Sequence, residues 1–190
     1  MLVTGICFTL FATSCAAEQP RKEGTVPPKA AGSEVVLETD AGRIVIALNV
    51  QNAPGTVANF KKLVAQGFYD GTYFHRVIPG FMIQGGDPNT RDNNRANDGT
   101  GGPGYTIQAE FNAHKHVRGT VSMARRNDPD SAGSQFFICV APAPYLDGKY
   151  TLFGHVTEGM EVVDKIVNAP RDARDNPHQS IHIRKATLAE

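Results

Sequence analysis

The chain has 190 residues, 41% of them hydrophobic and 20% charged, with 19 basic and 19 acidic side chains for a formal net charge of zero. That length suits one domain with a short appendage, and that apolar content supports a core without metals or disulfides. The balanced charge, without a basic stripe, argues against nucleic acid or an anionic lipid surface as an electrostatic partner.

Residues 1–17 carry no charged side chain and include Leu2, Val3, Ile6, Phe8, Leu10 and Phe11. The run is short of the ~20 apolar residues that a membrane-spanning helix needs. It reads as a signal-peptide core, although the usual cationic start is missing. Phe11-Ala12-Thr13-Ser14-Cys15 resembles a bacterial lipoprotein signal, with Ala12 where leucine is usual. Three outcomes stay open: lipid modification of Cys15, plain cleavage near Ala17, or an uncleaved tail. The first is favoured on that resemblance; each buried acyl methylene would contribute ~0.8 kcal/mol to holding the protein at a membrane. The expected location is the periplasm or the exterior, with an anchor to a bacterial membrane if Cys15 carries lipid.

Residues 18–33 contain three prolines, two glycines and one large aliphatic residue, Val26. They bury too little to offset chain ordering and read as a disordered linker, about 20–30 Å long as a coil. Residues 34–190 form the expected folded domain.

Within it, Val35–Thr39 and Arg43–Leu48 are β-branched runs joined by Asp40-Ala41-Gly42, a hairpin pattern. Ala53-Pro54 opens a helical pattern that places Val57, Phe60, Leu63 and Val64 on one face and stops at Gly67. Short strands are predicted near Tyr73–Val77, Phe81–Gly85, Gly119–Ala124, Gln135–Val140 and Thr151–His155. A second helix is predicted over Met160–Asn168 and a closing strand over Ile181–Leu188. Many short strands with two helices imply an antiparallel barrel or sandwich.

Several motifs fail their chemistry. Gly99-Thr100-Gly101-Gly102-Pro103-Gly104 lacks the Gly-Lys-Ser/Thr ending of a phosphate cradle. Ser134 lacks the second glycine of a nucleophile elbow. His114 with His116, and His178 with His182, have no third ligand at a metal-binding spacing, so no metal or other cofactor is expected. Cys139, in an apolar run, reads as a small buried hydrophobe.

The densest word is Phe74-His75-Arg76-Val77-Ile78-Pro79-Gly80-Phe81-Met82-Ile83-Gln84-Gly85-Gly86-Asp87. Taken singly, Arg76 reads as a surface arginine, and Phe81 and Met82 as core. Together they suit a shallow apolar pocket with one fixed cationic donor at its rim. Gly133-Ser134-Gln135-Phe136-Phe137-Ile138-Cys139 repeats the mixture of amide and aromatic side chains.

These two words resemble the halves of a cyclophilin active site. Gly99–Gly102, Ser122-Met123-Ala124 and Leu146-Asp147-Gly148-Lys149 continue the resemblance in order and spacing, from about Ser33 to Leu188. It implies a mainly β fold, a closed eight-stranded antiparallel barrel capped by two α-helices. It implies a peptidyl-prolyl cis-trans isomerase that acts on proline-containing polypeptide segments and assists folding outside the cytoplasm as a monomer without a cofactor. A non-catalytic chaperone or scaffold module of the same fold is the alternative. Arg76 would be catalytic, because a guanidinium that hydrogen-bonds the prolyl nitrogen favours its pyramidal, less conjugated form. Phe81, Met82, Phe137 and Leu146 would hold the proline ring, and Gln84, Ala124 and Gln135 would orient the substrate backbone. The Gly99–Gly102 turn would border the residues upstream of proline. Three further site positions depart from many eukaryotic members: Tyr145 replaces tryptophan, Tyr150 histidine and Arg125 asparagine. Tyr145 offers a smaller aromatic and no indole N–H, so weak or absent cyclosporin A binding is expected. Arg125 adds charge at the backbone-binding edge unless it is a simple solvated side chain.

Overall fold

The computed structural model describes Met1 and residues 34–92 and 94–189. The signal, linker and Cys15 readings lie outside these residues. Eight strands form in chain order: β1 Glu34–Thr39, β2 Gly42–Leu48, β3 Arg76–Ile78, β4 Met82–Gly85, β5 Thr120–Met123, β6 Phe136–Cys139, β7 Leu152–Glu158 and β8 Ile183–Leu188. Helix α1 spans Pro54–Ala65 and α2 spans Met160–Val167.

The hairpin β1–β2 follows the sequence pattern, with Thr39 paired to Gly42. Its turn is closed by the Thr39 hydroxyl, which accepts from the Ala41 and Gly42 N–H groups at 3.1 Å. Helix α1 starts on Pro54, whose missing N–H has no helical partner to lose, and buries Val57, Phe60, Leu63 and Val64.

The sheet order is β3-β4-β6-β5-β7-β2-β1-β8, antiparallel throughout. Its edges, β3 and β8, do not pair as strands. The expected closed barrel is therefore corrected to an open, curled half-barrel. The reason lies at β3. It has only three residues, and the Val77 N–H donates to the Asp175 carbonyl at 2.8 Å rather than to β8. Backbone bonds from Gly71 N to Ile183 O, at 2.8 Å, and from Ile183 N to Thr72 O, at 2.7 Å, tie the two edges together just before β3.

Side chains alternate across each strand. Val77, Ile83, Val121, Met123, Phe136 and Ile138 point into the main core with the apolar faces of both helices. Phe60 lies at its centre, with ring centroids 5.0 Å from Tyr69, 5.5 Å from Phe136 and 5.0 Å from Phe153. The intervening residues Ile78, Met82, Phe137 and Cys139 point the other way and build a second apolar cluster with Ala143 and Leu146. Cys139 is fully buried there and burial pushes its thiol up to about 12, so the small-hydrophobe reading holds.

Candidate active site

Strand pairing aligns Arg76 with Gln84, Gln84 with Phe137, and Phe137 with Ser122. One row of side chains thus crosses β3, β4, β6 and β5 on the outer face of the sheet. Its four members span residues 76–137 of the sequence but lie on adjacent strands, which puts a cation, an amide, an aromatic ring and a hydroxyl side by side.

The Arg76 guanidinium is exposed and, among the described residues, has no hydrogen-bond or ion-pair partner. An arginine left free beside an apolar patch is available to a ligand. The Gln84 Nε2 donates to Gln135 Oε1 at 2.9 Å, and the Gln135 Nε2 donates to the Gly101 carbonyl at 2.9 Å. This amide chain fixes both glutamines beside the patch. The Ala124 N–H donates to the Gln135 carbonyl at 2.9 Å, which fixes the facing edge of β5.

The patch itself is shallow. Met82, Phe137 and Leu146 form its floor and are 2%, 5% and 7% exposed. Phe81, Ala124 and Tyr150 are half-buried around them. The Tyr150 ring meets Phe137 edge-on at 5.9 Å, and exposed Tyr145 leans on Phe81 at 5.8 Å. Arg125 is neither a free charge nor a simple solvated side chain. Its guanidinium lies 4.6 Å over the Tyr150 ring and donates to the carbonyls of Lys149, Arg126 and Asn127. It braces Tyr150, because a stacked, forked donor saturated by carbonyls has little left for a ligand.

A groove of about 400 Å³ adjoins the patch, lined by Gly99–Thr106 on one side and Ala124–Arg126 with Gln135 on the other. Asp87 holds its glycine wall. This fully buried carboxylate accepts from the Asn89 N–H at 2.8 Å and the Gly101 N–H at 3.2 Å. A Cβ on residue 101 would stand 2.2 Å from Asp87 Oδ1, so only glycine permits that approach.

Residues 34–188 match the family model described as cyclophilin type peptidyl-prolyl cis-trans isomerase/CLD. The chain belongs to the cyclophilin family. It is 48% identical over 141 residues to a peptidyl-prolyl cis-trans isomerase of Synechococcus elongatus, which covers 73% of this chain and 92% of that protein. It is 50% identical over 134 residues to peptidyl-prolyl cis-trans isomerase B of Bacillus subtilis, covering 70% and 88%. Among solved structures, a Cryptosporidium parvum cyclophilin type isomerase crystallised in the presence of the dipeptide Ala-Pro superposes with a TM-score of 0.76 at 34% identity, covering 83% of this chain and 99% of that one.

Sequence reasoning missed one polar unit beneath the cyclophilin site. The Ser122 hydroxyl lies 2.9 Å from His116 Nε2, and His116 Nδ1 lies 3.0 Å from Asp147 Oδ1. The His116 backbone N–H also donates to that carboxylate at 2.9 Å, and this bond leads in holding the Asp147 carboxyl down at about 2. The order Ser–His–Asp copies a hydrolase triad, but Ser122 is fully buried and no acyl group can reach it. The unit does something else. The His116 ring stacks on Phe137, 6.1 Å apart and tilted by 16°, and Asp147 directly follows Leu146. It therefore pins the floor of the patch to its wall. In the sequence His116 stands out only beside His114, a pair without a third ligand, and no spacing rule links residues 116, 122 and 147. Among the described residues no group of three His, Cys, Asp or Glu side chains is placed to hold a metal.

His116→Leu leaves Ser122 with an unpartnered buried hydroxyl, which should destabilise the fold by about 1–3 kcal/mol. Adding Ser122→Ala should recover part of that loss, because no orphaned hydroxyl remains. Urea unfolding of the single and double variants reads both. Equal or greater destabilisation in the double variant would refute the pairing.

Proposed function

We propose that this cyclophilin catalyses rotation about Xaa-Pro bonds through Arg76. The observation that carries this reading is the unpartnered guanidinium beside the Met82–Phe137–Leu146 patch. A proline ring seats on the patch while Arg76 hydrogen-bonds the prolyl nitrogen as it pyramidalises. The barrier falls because the twisted amide is bound more tightly than either planar isomer. Gln84, Gln135 and the Ala124 edge align the substrate backbone, and Phe81 and Tyr145 close the rim. The residues upstream of proline lie along the 400 Å³ groove. No step requires a cofactor or a covalent intermediate.

The test is the isomerisation rate of a short Xaa-Pro peptide with the purified full chain. Acceleration supports the reading. A folded protein that binds the peptide without accelerating it would leave the non-catalytic binding module in its place.

The same reading extends to placement and ligands. Residues 1–17 and the Phe11–Cys15 word support an isomerase outside the cytoplasm, held to a membrane by lipid on Cys15. No helix among the described residues is long and apolar enough to cross a membrane. Mass spectrometry of the mature N-terminus in membrane fractions tests the anchor; an unmodified Cys15 there would overturn it. Tyr145 supports weak cyclosporin A binding. Tyr145→Trp should raise that affinity roughly tenfold by adding an indole face and an N–H donor. Titration calorimetry giving the same affinity for both proteins would refute it.

A further inference from the structure

A second concavity, of about 250 Å³, abuts the groove and shares Gln84 and Gly99 with it. Its charged walls are Arg76, Arg95, Arg174 and Asp98, with His75 and Asn176 between them. Three guanidinium groups face one carboxylate, although the whole chain is neutral.

These charges differ in what they already do. Arg95 is committed: it donates to Asn176 Oδ1, the Pro177 and His178 carbonyls and the Ser180 hydroxyl, and it lies over the Tyr73 ring. Asp98 accepts from the Tyr73 hydroxyl and from Asn176 Nδ2. Buried His75 has its pKa lowered by desolvation and stays neutral at pH 7, so it adds no charge. Arg76 and Arg174 remain. Among the described residues neither guanidinium has a hydrogen-bond or ion-pair partner. On the loop that bears Arg174, Arg171 is paired with Asp175 at 3.2 Å, and Asp172 uses its Oδ1 to accept the Arg174 and Asn176 backbone N–H groups.

That loop is fixed relative to the site. The Val77 N–H of β3 donates to the Asp175 carbonyl, and the Asp172 N–H donates to the Asn176 carbonyl at 2.9 Å. Arg174 is thus presented beside the strand that carries Arg76. Two unpaired guanidinium groups at one rim, Arg174 with the Asp172 charge near it, suit a carboxylate, whose two oxygens match the guanidinium fork. The isomerase reading puts the residues upstream of proline in the groove and Arg76 at the prolyl nitrogen; the concavity opens beside Arg76 and is assigned to the segment after proline on that reading.

We propose that this concavity is a subsite for a carboxylate downstream of the substrate proline, with Arg174 as its specificity-determining residue. The proposal rests on the isomerase reading. The carboxylate is a Glu or Asp side chain, or the C-terminus of a short client segment.

The full chain and its Arg174→Gln variant are compared on four Ala-Pro peptides. Three are amide-capped, with Glu two residues after proline, Gln at that position, or Glu two residues before proline. The fourth has the downstream Gln and a free C-terminus. The wild type should favour downstream Glu over Gln in kcat/KM by roughly three- to tenfold at low salt. The ratio should fall towards one in Arg174→Gln and at about 1 M salt, where screening acts within ~3 Å. Upstream Glu should give no gain. An equal gain for the free C-terminus shows that the site takes chain ends as well as side chains; a gain for Glu alone assigns it to side chains. A wild-type ratio near one, or a ratio unchanged in Arg174→Gln with an unchanged thermal midpoint, overturns the subsite. Turnover of the Gln peptide judges the isomerase reading separately. If turnover is absent, fluorescence-polarisation affinities of the same peptides supply the same ratio.

Discussion

Arg76→Ala should lower kcat/KM for a short Xaa-Pro peptide by about 10²–10³-fold, the range seen when one preorganised donor to a transition state is removed. The size follows from what the site contains. The patch of Met82, Phe137 and Leu146 is apolar and can grip a proline ring, but it has no donor for the nitrogen. Gln84 and Gln135 bond each other and the Gly101 carbonyl, so their amides are not free to substitute for a guanidinium. Arg125 is bound to three carbonyls and Arg95 to a neighbouring loop. Arg174, the other unpaired guanidinium, lines the neighbouring concavity and lies outside the row of side chains that reaches the patch, so Arg76 has no stand-in at the prolyl nitrogen. Arg76→Lys should restore only a small part, because an ammonium keeps the charge without the fixed fork. Peptide affinity should change much less than turnover in both variants. A protease-coupled rate measurement with a parallel binding titration reads the two quantities, and full turnover in Arg76→Ala would remove the guanidinium from the mechanism.

Phe60→Ala should lower the unfolding free energy by about 3–5 kcal/mol. Domains of this kind hold only ~5–15 kcal/mol in total, so the variant approaches the threshold of folding. Phe60 is wholly buried on α1 and its ring meets those of Tyr69, Phe136 and Phe153. Truncation leaves a void walled by three aromatic rings on strands and turns that cannot easily collapse. The neighbouring Asn59 on the same helix donates to the Gly133 carbonyl at 2.8 Å and accepts from the Tyr105 hydroxyl at 2.7 Å. Loosening α1 should thus also loosen the groove beside it. Urea unfolding of the variant checks the main effect, and a loss below about 1 kcal/mol would show that the aromatic cluster is not the structural centre.

Local elements were legible because their signals are local. Alternation in Val35–Leu37 and Ile44–Ile46 placed the hairpin, and the spacing of Val57, Phe60, Leu63 and Val64 placed α1. The strand predicted over Thr151–His155 extends to Glu158, and the strand predicted near Tyr73–Val77 forms only from Arg76. Tyr73 is held instead by an isolated bridge to His182. Strand ends depend on which backbone partner is within reach, and that partner lies about a hundred residues away.

The sequence by itself determined the family, the order of the elements and the residues that face outward from β3, β4 and β6. Side-chain alternation has a fixed period, so choosing the strand chooses the face. Tertiary structure alone decided the rest. It left the sheet open at β3, turned Arg125 into a brace for Tyr150, stacked His116 under Phe137, and brought Arg174 beside Arg76. Each of these joins groups from distant segments through the pairing of strands and the folding back of loops. No pattern within a short window of sequence encodes a contact of that range.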